Sequence, residues 1–234
     1  LGFGVNALIS SFTLLNNITF MEILLNSLDE FPYMVSLRQT DDYCLCGGSI
    51  LDAHTILTAA HCVKHQTADE VMVIVGSIYR NTGGTKYLIS KITIHPDFGT
   101  PNALSNDIAI LTTSEPITTS SSVGFIDLPT STTGAGVNVT VTGWGLIRVS
   151  TIKYQILTKK YCNKRAPVSV DENNICTFTK VGQGVCNGDS GGPLADGNVL
   201  VGVVSAARQC AEGYPDVYVR VSSYIPWIKN NTHS

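Results

Sequence analysis

Charge is scarce in this 234-residue chain: 14% of residues are charged, and the formal net charge is −3. No basic run is present that would hold nucleic acid or an anionic membrane surface, so neither is expected as a partner. No stretch of about 18 apolar residues could cross a bilayer as a helix. Lys and Arg are absent before Arg38. The cysteines include no CxxC pair, which argues against the common zinc frameworks. No internal repeat is visible, and no metal or other cofactor is expected.

What is present describes a folded, oxidised chain. Apolar residues make up 44%, enough for a core rather than a disordered coil, and the length suits one large domain or two small ones. Seven cysteines exceed what a reduced cytosolic protein usually keeps, so disulfides in an oxidising compartment are expected, with one cysteine left over. Sequons at Asn17, Asn138 and Asn230 are compatible with secretion. Residues 1–28, LGFGVNALISSFTLLNNITFMEILLNSL, mix apolar and polar positions without a positive n-region, so they do not read as a signal peptide. They are read as an atypical N-terminal segment, either a pro-segment remnant or a misread exon edge.

From Phe31 onward the text is strand-like. YMVSL, VMVIVG, YLISKITI, IAILTT, VNVTVTGWG and NVLVGVVS are short β-rich runs set between clusters of Gly, Asn, Asp, Ser and Pro. That spacing predicts an all-β chain of antiparallel barrels or sandwiches rather than βαβ units. The low-complexity stretch over 112–136 reads as a connector between two halves. One helix is expected at the C-terminus in SSYIPWIKNN, capped by Ser222 or Ser223, with Pro226 in the first turn and Tyr224, Trp227 and Ile228 on one face.

Three segments carry chemistry. His61 follows an apolar strand in ILTAAHCV, Asp107 stands at the mouth of another in SNDIAIL, and Ser190 lies among glycines in GVCNGDSGGPL. Singly, these read as a structural histidine, a turn acceptor and a turn serine. Together they form a sensible set. A serine hydroxyl is a poor nucleophile until a base takes its proton, and imidazole has a pKa suited to that near neutrality. The imidazole in turn needs a carboxylate to hold its tautomer and stabilise the imidazolium.

TAAHC, NDIAIL and GDSGGP in that order resemble the trypsin/chymotrypsin-like serine proteases, as do CGGSI (46–50), GWG (143–145) and GYPDVYVRVSSYIPWI near the end. The likeness runs from about Phe31 to Asn230. It implies two perpendicular six-stranded antiparallel β-barrels with the active site in the cleft between them, plus a C-terminal α-helix. Residues 29–234 would form this protease domain: barrel one over about 29–115, then the connector, then barrel two and the helix over about 137–234. It implies His61 as general base, Asp107 as its orienting group and Ser190 as nucleophile, with the N–H groups of Gly188 and Ser190 as oxyanion hole. Seven cysteines leave many pairings open on sequence alone; the resemblance implies Cys46–Cys62, Cys162–Cys176 and Cys186–Cys210. Cys44 is then a semi-buried free thiol, or the site of an intermolecular disulfide. No calcium site is implied, because GSIYRNTGGTKY (76–87) holds no acid.

The same resemblance bears on substrate. The floor of the specificity pocket would be Gly184 rather than an acid, with Val185 on its wall, so a strict Arg or Lys preference is not expected. Ser205, Ala206 and Ala207 replace the usual Ser-Trp-Gly, removing an aromatic wall and adding a methyl at the entrance. Asp216 in YPDVY falls where a glycine commonly lines the pocket, so its carboxylate would enter from the side, or else serve as a turn acceptor. A glycine floor with a side-wall acid resembles the broad-specificity brachyurins. Asp189 would be the activation-linked carboxylate, pairing with a new α-ammonium near Phe20. TFMEILLNSLDEFPY contains no Ile-Val-Gly-Gly-like start, and no upstream Lys or Arg offers a trypsin-like cleavage. The loop between Trp144 and Cys162 is shorter than usual. The expected function is a secreted serine endopeptidase acting through an acyl-enzyme, with a chymotrypsin-like or broad P1 preference. The alternative is a non-catalytic homologue serving as a binding or regulatory module. Expected partners are protein or peptide substrates and protein inhibitors, for a chain that is a monomer.

Overall fold

The computed structural model describes residues 30–232 apart from 80–81, 146–149, 167, 179 and 208–209. The expectations for residues 1–28, and for the tip of the loop after Trp144, lie outside the described residues. Runs of β-branched residues pair antiparallel in two successive sets. The first contains β1 (Met34–Gln39), β2 (Cys44–Ile50), β3 (Thr55–Thr58), β4 (Val71–Val75), β5 (Thr85–Ile94) and β6 (Ala109–Thr113). It closes into a barrel in the order β1-β2-β3-β6-β5-β4. Closure leaves no unpaired edge, which suits strands as apolar as β3 and β4, buried along their whole length.

Residues 114–137 then run as a connector whose only strand-like features are isolated bridges, Ser120 with Val123 and Asp127 with Val199. The second set contains β7 (Asn138–Gly143), β8 (Ser150–Gln155), β9 (Asn174–Thr177), β10 (Pro193–Asp196), β11 (Val199–Ala206) and β12 (Asp216–Arg220). Its order is β8-β7-β10-β11-β12-β9, and a single antiparallel bridge from Ile156 to Thr177 brings the two ends of the sheet together. The molecule is thus all-β, built from two six-stranded antiparallel barrels.

Few helices interrupt this plan. α1 (Ala60–Val63) is one turn, α2 (Lys159–Arg165) starts at Thr158, and α3 (Ile225–Asn231) closes the chain with a proline in its first turn. The expected serine cap on α3 is corrected here. A 3₁₀ turn over Val221–Tyr224 takes up both serines, and Tyr224 precedes the helix without a side-chain cap. Among the described residues the buried Ser222 hydroxyl has no hydrogen-bond partner. Ile228 is fully buried, while the His95 ring packs edge-on against Tyr224 and tilted against Trp227.

One apolar cluster fills barrel one and extends through Trp144, Val203, Val219 and Ile228 into the seam with barrel two. Trp144 Nε1 donates to the carbonyl of Ile78 at 2.9 Å, so its indole is held without an unpaired N–H. A second cluster of Val141, Tyr154, Ile175, Val185, Leu194, Val204 and Tyr218 fills barrel two. Disulfides join Cys46 to Cys62, Cys162 to Cys176, and Cys186 to Cys210. Cys44 is free and half-buried, with its sulfur 3.9 Å from Ser36 Oγ.

Candidate active site

The site is assembled from both barrels. From barrel one, β3 ends at Thr58 and the chain turns at once into α1, which presents His61 at the edge of the seam. The Cys46–Cys62 bridge ties that single turn to β2. Asp107 lies just before β6, fully buried. A buried carboxylate is tolerated only when its lone pairs are used, and here they are. Oδ1 accepts the main-chain N–H of His61 at 2.8 Å, while Oδ2 lies 2.7 Å from His61 Nδ1 and accepts Ser205 Oγ–H at 2.6 Å. A carboxylate can only accept, so Nδ1 is the donor in this contact, and in the neutral ring Nε2 is then the acceptor. Cys62 Sγ lies 3.7 Å from Nε2, but both sulfurs near the ring are consumed in the disulfide. No thiolate is left beside His61 to hold a metal.

Barrel two contributes the serine. The N–H of Asp189 donates to the carbonyl of Cys186 at 3.0 Å, closing a four-residue turn whose third residue, Gly188, has φ +99°. That is the signature of a type II turn and the reason glycine occupies the position. Among the described residues the N–H groups of Gly188 and Ser190 donate to no protein acceptor. The serine loop is pinned on both sides: Ser190 O accepts from Gly47 N–H at 2.7 Å, and Gly191 N–H donates to Val204 O at 2.8 Å. Gly191 has φ +76°, and a Cβ there would lie 2.2 Å from Thr58 Oγ1. His61 and Ser190 line the same cavity, of about 520 Å³. No hydrogen bond joins their side chains among the described residues; the pair shares a cavity wall rather than a closed contact.

Asp189 is buried and points away from the cleft. Oδ1 accepts the N–H of Gly145 at 2.8 Å and Oδ2 that of Cys186 at 2.9 Å. The carboxylate is packed so closely on the GWG segment that a Cβ on Gly145 would stand 2.2 Å from Oδ2. The glycines of that motif are therefore space for the acid behind the nucleophile.

Of the residues expected around the specificity pocket, Val185, Ser205, Ala206 and Ala207 line the cavity, joined by Cys186, Asn187 and Leu104. Gly184 and Asp216 stand behind that lining. Asp216 is the first residue of β12 and is buried. Its Oδ2 accepts the N–H of Val185 at 3.1 Å and Tyr154 Oη–H at 3.2 Å. A Cβ at Gly184 would lie 3.4 Å from that oxygen. Burial raises the Asp216 pKa to about 7, against the pull of its two donors. The Tyr154 phenol is pushed up as well, by burial and by Asp216. Sequence reading did not single out Tyr154, Leu104 or Asn187, nor the donation from Ser205 to Asp107. Tyr154 reaches Asp216 across 62 residues of chain, and no local pattern signals such a pairing.

A histidine held by a buried carboxylate, beside a serine on a glycine-rich turn in a cleft between two β-barrels, defines the class of serine hydrolases. Comparison with known proteins takes this further: residues 26–228 match the trypsin family, and the chain belongs to that family, as a serine-type endopeptidase. It is 37% identical over 211 residues to chymotrypsin-2 of Vespa crabro, covering 86% of this chain and 94% of that protein. It is 35% identical over 217 residues to brachyurin of Leptuca pugilator, covering 87% and 94% respectively. Mouse neuropsin, a serine protease, superposes with a TM-score of 0.78 over 86% of this chain and 95% of its own; at 24% identity that likeness concerns the fold.

Proposed function

We propose that the chain is a secreted endopeptidase in which Ser190 is the nucleophile, His61 the general base and Asp107 its orienting group. The observation that carries this is the convergence of His61 N–H, His61 Nδ1 and Ser205 Oγ on the buried Asp107. That arrangement leaves Nε2 free in the cavity that Ser190 also lines. In the reaction Nε2 takes the Ser190 hydroxyl proton as Oγ attacks the scissile carbonyl, then passes it to the leaving amine. The resulting acyl-enzyme is hydrolysed by water through the same base. The N–H groups of Gly188 and Ser190, free of protein acceptors among the described residues, receive the developing oxyanion. One such donor contributes roughly 10²–10³ in rate.

An extended peptide would add as a strand beside Ser205, Ala206 and Ala207, with its P1 side chain entering past Val185 toward Gly184. Alanines and a valine on this wall favour apolar P1 residues, in a chymotrypsin-like or brachyurin-like range. Secretion is supported by the three disulfides, which persist in oxidising compartments. No helix among the described residues is long and apolar enough to cross a membrane. Asp189, buried against Gly145 and Cys186, is assigned to holding the oxyanion turn in shape. A fluorophosphonate probe is expected to label the purified protein on Ser190 and to leave Ser190→Ala unlabelled, with peptide hydrolysis falling about 10⁶-fold in that variant. A correctly folded chain that takes no label would instead be a binding module on the protease fold.

A further inference from the structure

The residue before the orienting acid has an unusual backbone. Asn106 stands at φ +54°, in the left-handed region where asparagine is one of the few residues besides glycine to settle. Its carbonyl accepts the N–H of Ile108 at 2.8 Å, closing a three-residue turn with Asp107 at the centre. The direction in which the Asp107 side chain leaves the main chain is therefore set by the Asn106 dihedrals. Those dihedrals are held by the Asn106 side chain. Nδ2 donates to the carbonyls of Asp97 and Thr100, each at 3.0 Å, and Oδ1 accepts Tyr224 Oη–H at 2.8 Å. The first two bonds close the loop that carries Leu104 on the cavity wall. The third arrives from 118 residues further along the chain. Tyr224 is a firm anchor for it: buried, last in the 3₁₀ turn before α3, and packed edge-on against His95. Burial, with the charges of Asp171 and Asp107, pushes its phenol up to about 12, so at neutral pH it is an uncharged donor.

We infer that Tyr224 and Asn106 are positioning residues for the reaction, a strut from the C-terminal 3₁₀ turn that holds Asp107 against His61. This rests on the proposed reading of Asp107 as the group that orients the base. The need for a strut is geometric. The hydrogen bonds of the Asp107 carboxylate among the described residues all go to His61 and Ser205, so they tie the site to itself. A catalytic constellation tolerates about 0.5 Å or 10–20° of error, and supporting hydrogen bonds are what keep it within that range. Without the Tyr224 hydroxyl the Asn106 amide keeps its loop carbonyls but loses its hold on the body of the protein. The peptide before Asp107 can then rock, and the carboxylate leaves Nδ1 part of the time.

Tyr224→Phe removes one oxygen and keeps the ring against His95. Its kcat in peptide hydrolysis is expected to fall about fivefold with KM within about twofold of the parent, because the cavity wall is untouched. Asn106→Gly keeps the left-handed backbone and loses all three side-chain bonds. There kcat is expected to fall at least about tenfold and KM to rise about fivefold, as the loop bearing Leu104 loosens. The double variant is expected to match Asn106→Gly alone, since the two side chains act through one bond. Proton NMR of the free protein reads the same contact without turnover. The His61 Nδ1 proton, held by Asp107 Oδ2 at 2.7 Å, gives a low-field line that is expected to broaden in Tyr224→Phe. A parental kcat or a parental line in Tyr224→Phe overturns the inference, even where the melting temperature drops, and so does an additive double variant. Should Tyr224→Phe fail to fold, Asn106→Gly answers by the same two readouts. A parent that takes no fluorophosphonate yet loses its line in Tyr224→Phe would sink the catalytic reading and keep the strut. A labelled, active parent whose kcat and line ignore the substitution would do the reverse.

Discussion

The two barrels share a strand count and differ in what they bury. Barrel one is packed mainly with aliphatic side chains, Tyr33 and the buried Arg38 apart, and its one buried acid among the described residues, Asp107, faces the cleft. Barrel two encloses two tyrosines, Tyr154 and Tyr218, in its own core and holds Asp216 and Asp189 against the strands and turn behind the pocket. An aliphatic barrel is a stiff mount, and a base needs only to be held still. A pocket that tells one side chain from another needs polar groups inside it, and each of those costs desolvation that packing elsewhere must offset. The disulfides follow the same division: one braces the histidine turn, while in barrel two one braces the segments around the pocket and one ties α2 to β9.

Substitutions can break this comparison or sharpen it. The largest effect after loss of Ser190 is expected from barrel one. Asp107→Asn should lower kcat by about 10⁴-fold near neutral pH, the size known for a triad carboxylate whose tautomer control is lost, as measured in steady-state peptide hydrolysis. A loss below tenfold would mean that the buried acid is not aligning the base.

In barrel two the expected effect is on stability, with the opposite sign. The folded-state pKa of Asp216 is raised, so its contribution is fully present below the unfolded carboxylate pKa of about 4 and is lost as pH rises toward 7. Asp216→Asn should therefore raise unfolding stability by a few kcal/mol at pH 8 and by little at pH 4, read from urea melts at both values. Equal stabilisation at the two pH values would separate Asp216 from this linkage.

Ser205→Ala comes next, since it removes a barrel-two donor from the barrel-one carboxylate. A drop of about tenfold in kcat/KM with an unchanged melting temperature is expected. The smallest effect belongs to the outer surface of barrel one. Glu70 accepts the N–H of Thr67 at 2.8 Å at the start of a 3₁₀ turn. Glu70→Ala should cost about 1 kcal/mol or less in stability and leave kcat/KM unchanged. A change in turnover there would show that the mount is less stiff than its packing suggests.

The same contrast explains what could be read in the sequence. The six β-rich runs correspond to β1, β4, β5, β6, β7 and β11, because β-branched residues in short runs have few other ways to pack. β2 escaped notice as a strand because CLCGGSI is short of bulky β-formers, and its Gly47 serves the contact with the serine loop. Several of the other strands are only four or five residues long. His61, Asp107 and Ser190 were legible because their immediate neighbours are specialised. The groups behind them were not. Asp107 with Ser205 and Tyr154 with Asp216 are partnerships closed by the fold across long stretches of chain, which no local pattern signals. The sequence leaves Asp216 as an acid entering the pocket from the side or a turn acceptor; in the structure its Oδ2 accepts from Val185 N–H and Tyr154 Oη–H.

The missing side chain of Gly191 has a mechanical consequence. The loop bearing Ser190 presses against Thr58 and Gly47 at a distance no Cβ could enter, and three residues beyond Thr58 the chain reaches His61. The spacing of nucleophile and base is therefore gauged by the Gly191 main chain bearing on the Thr58 hydroxyl and the Gly47 carbonyl, like a machined stop between two castings. Turnover in a viscous solvent should slow only as far as substrate arrival and product departure do.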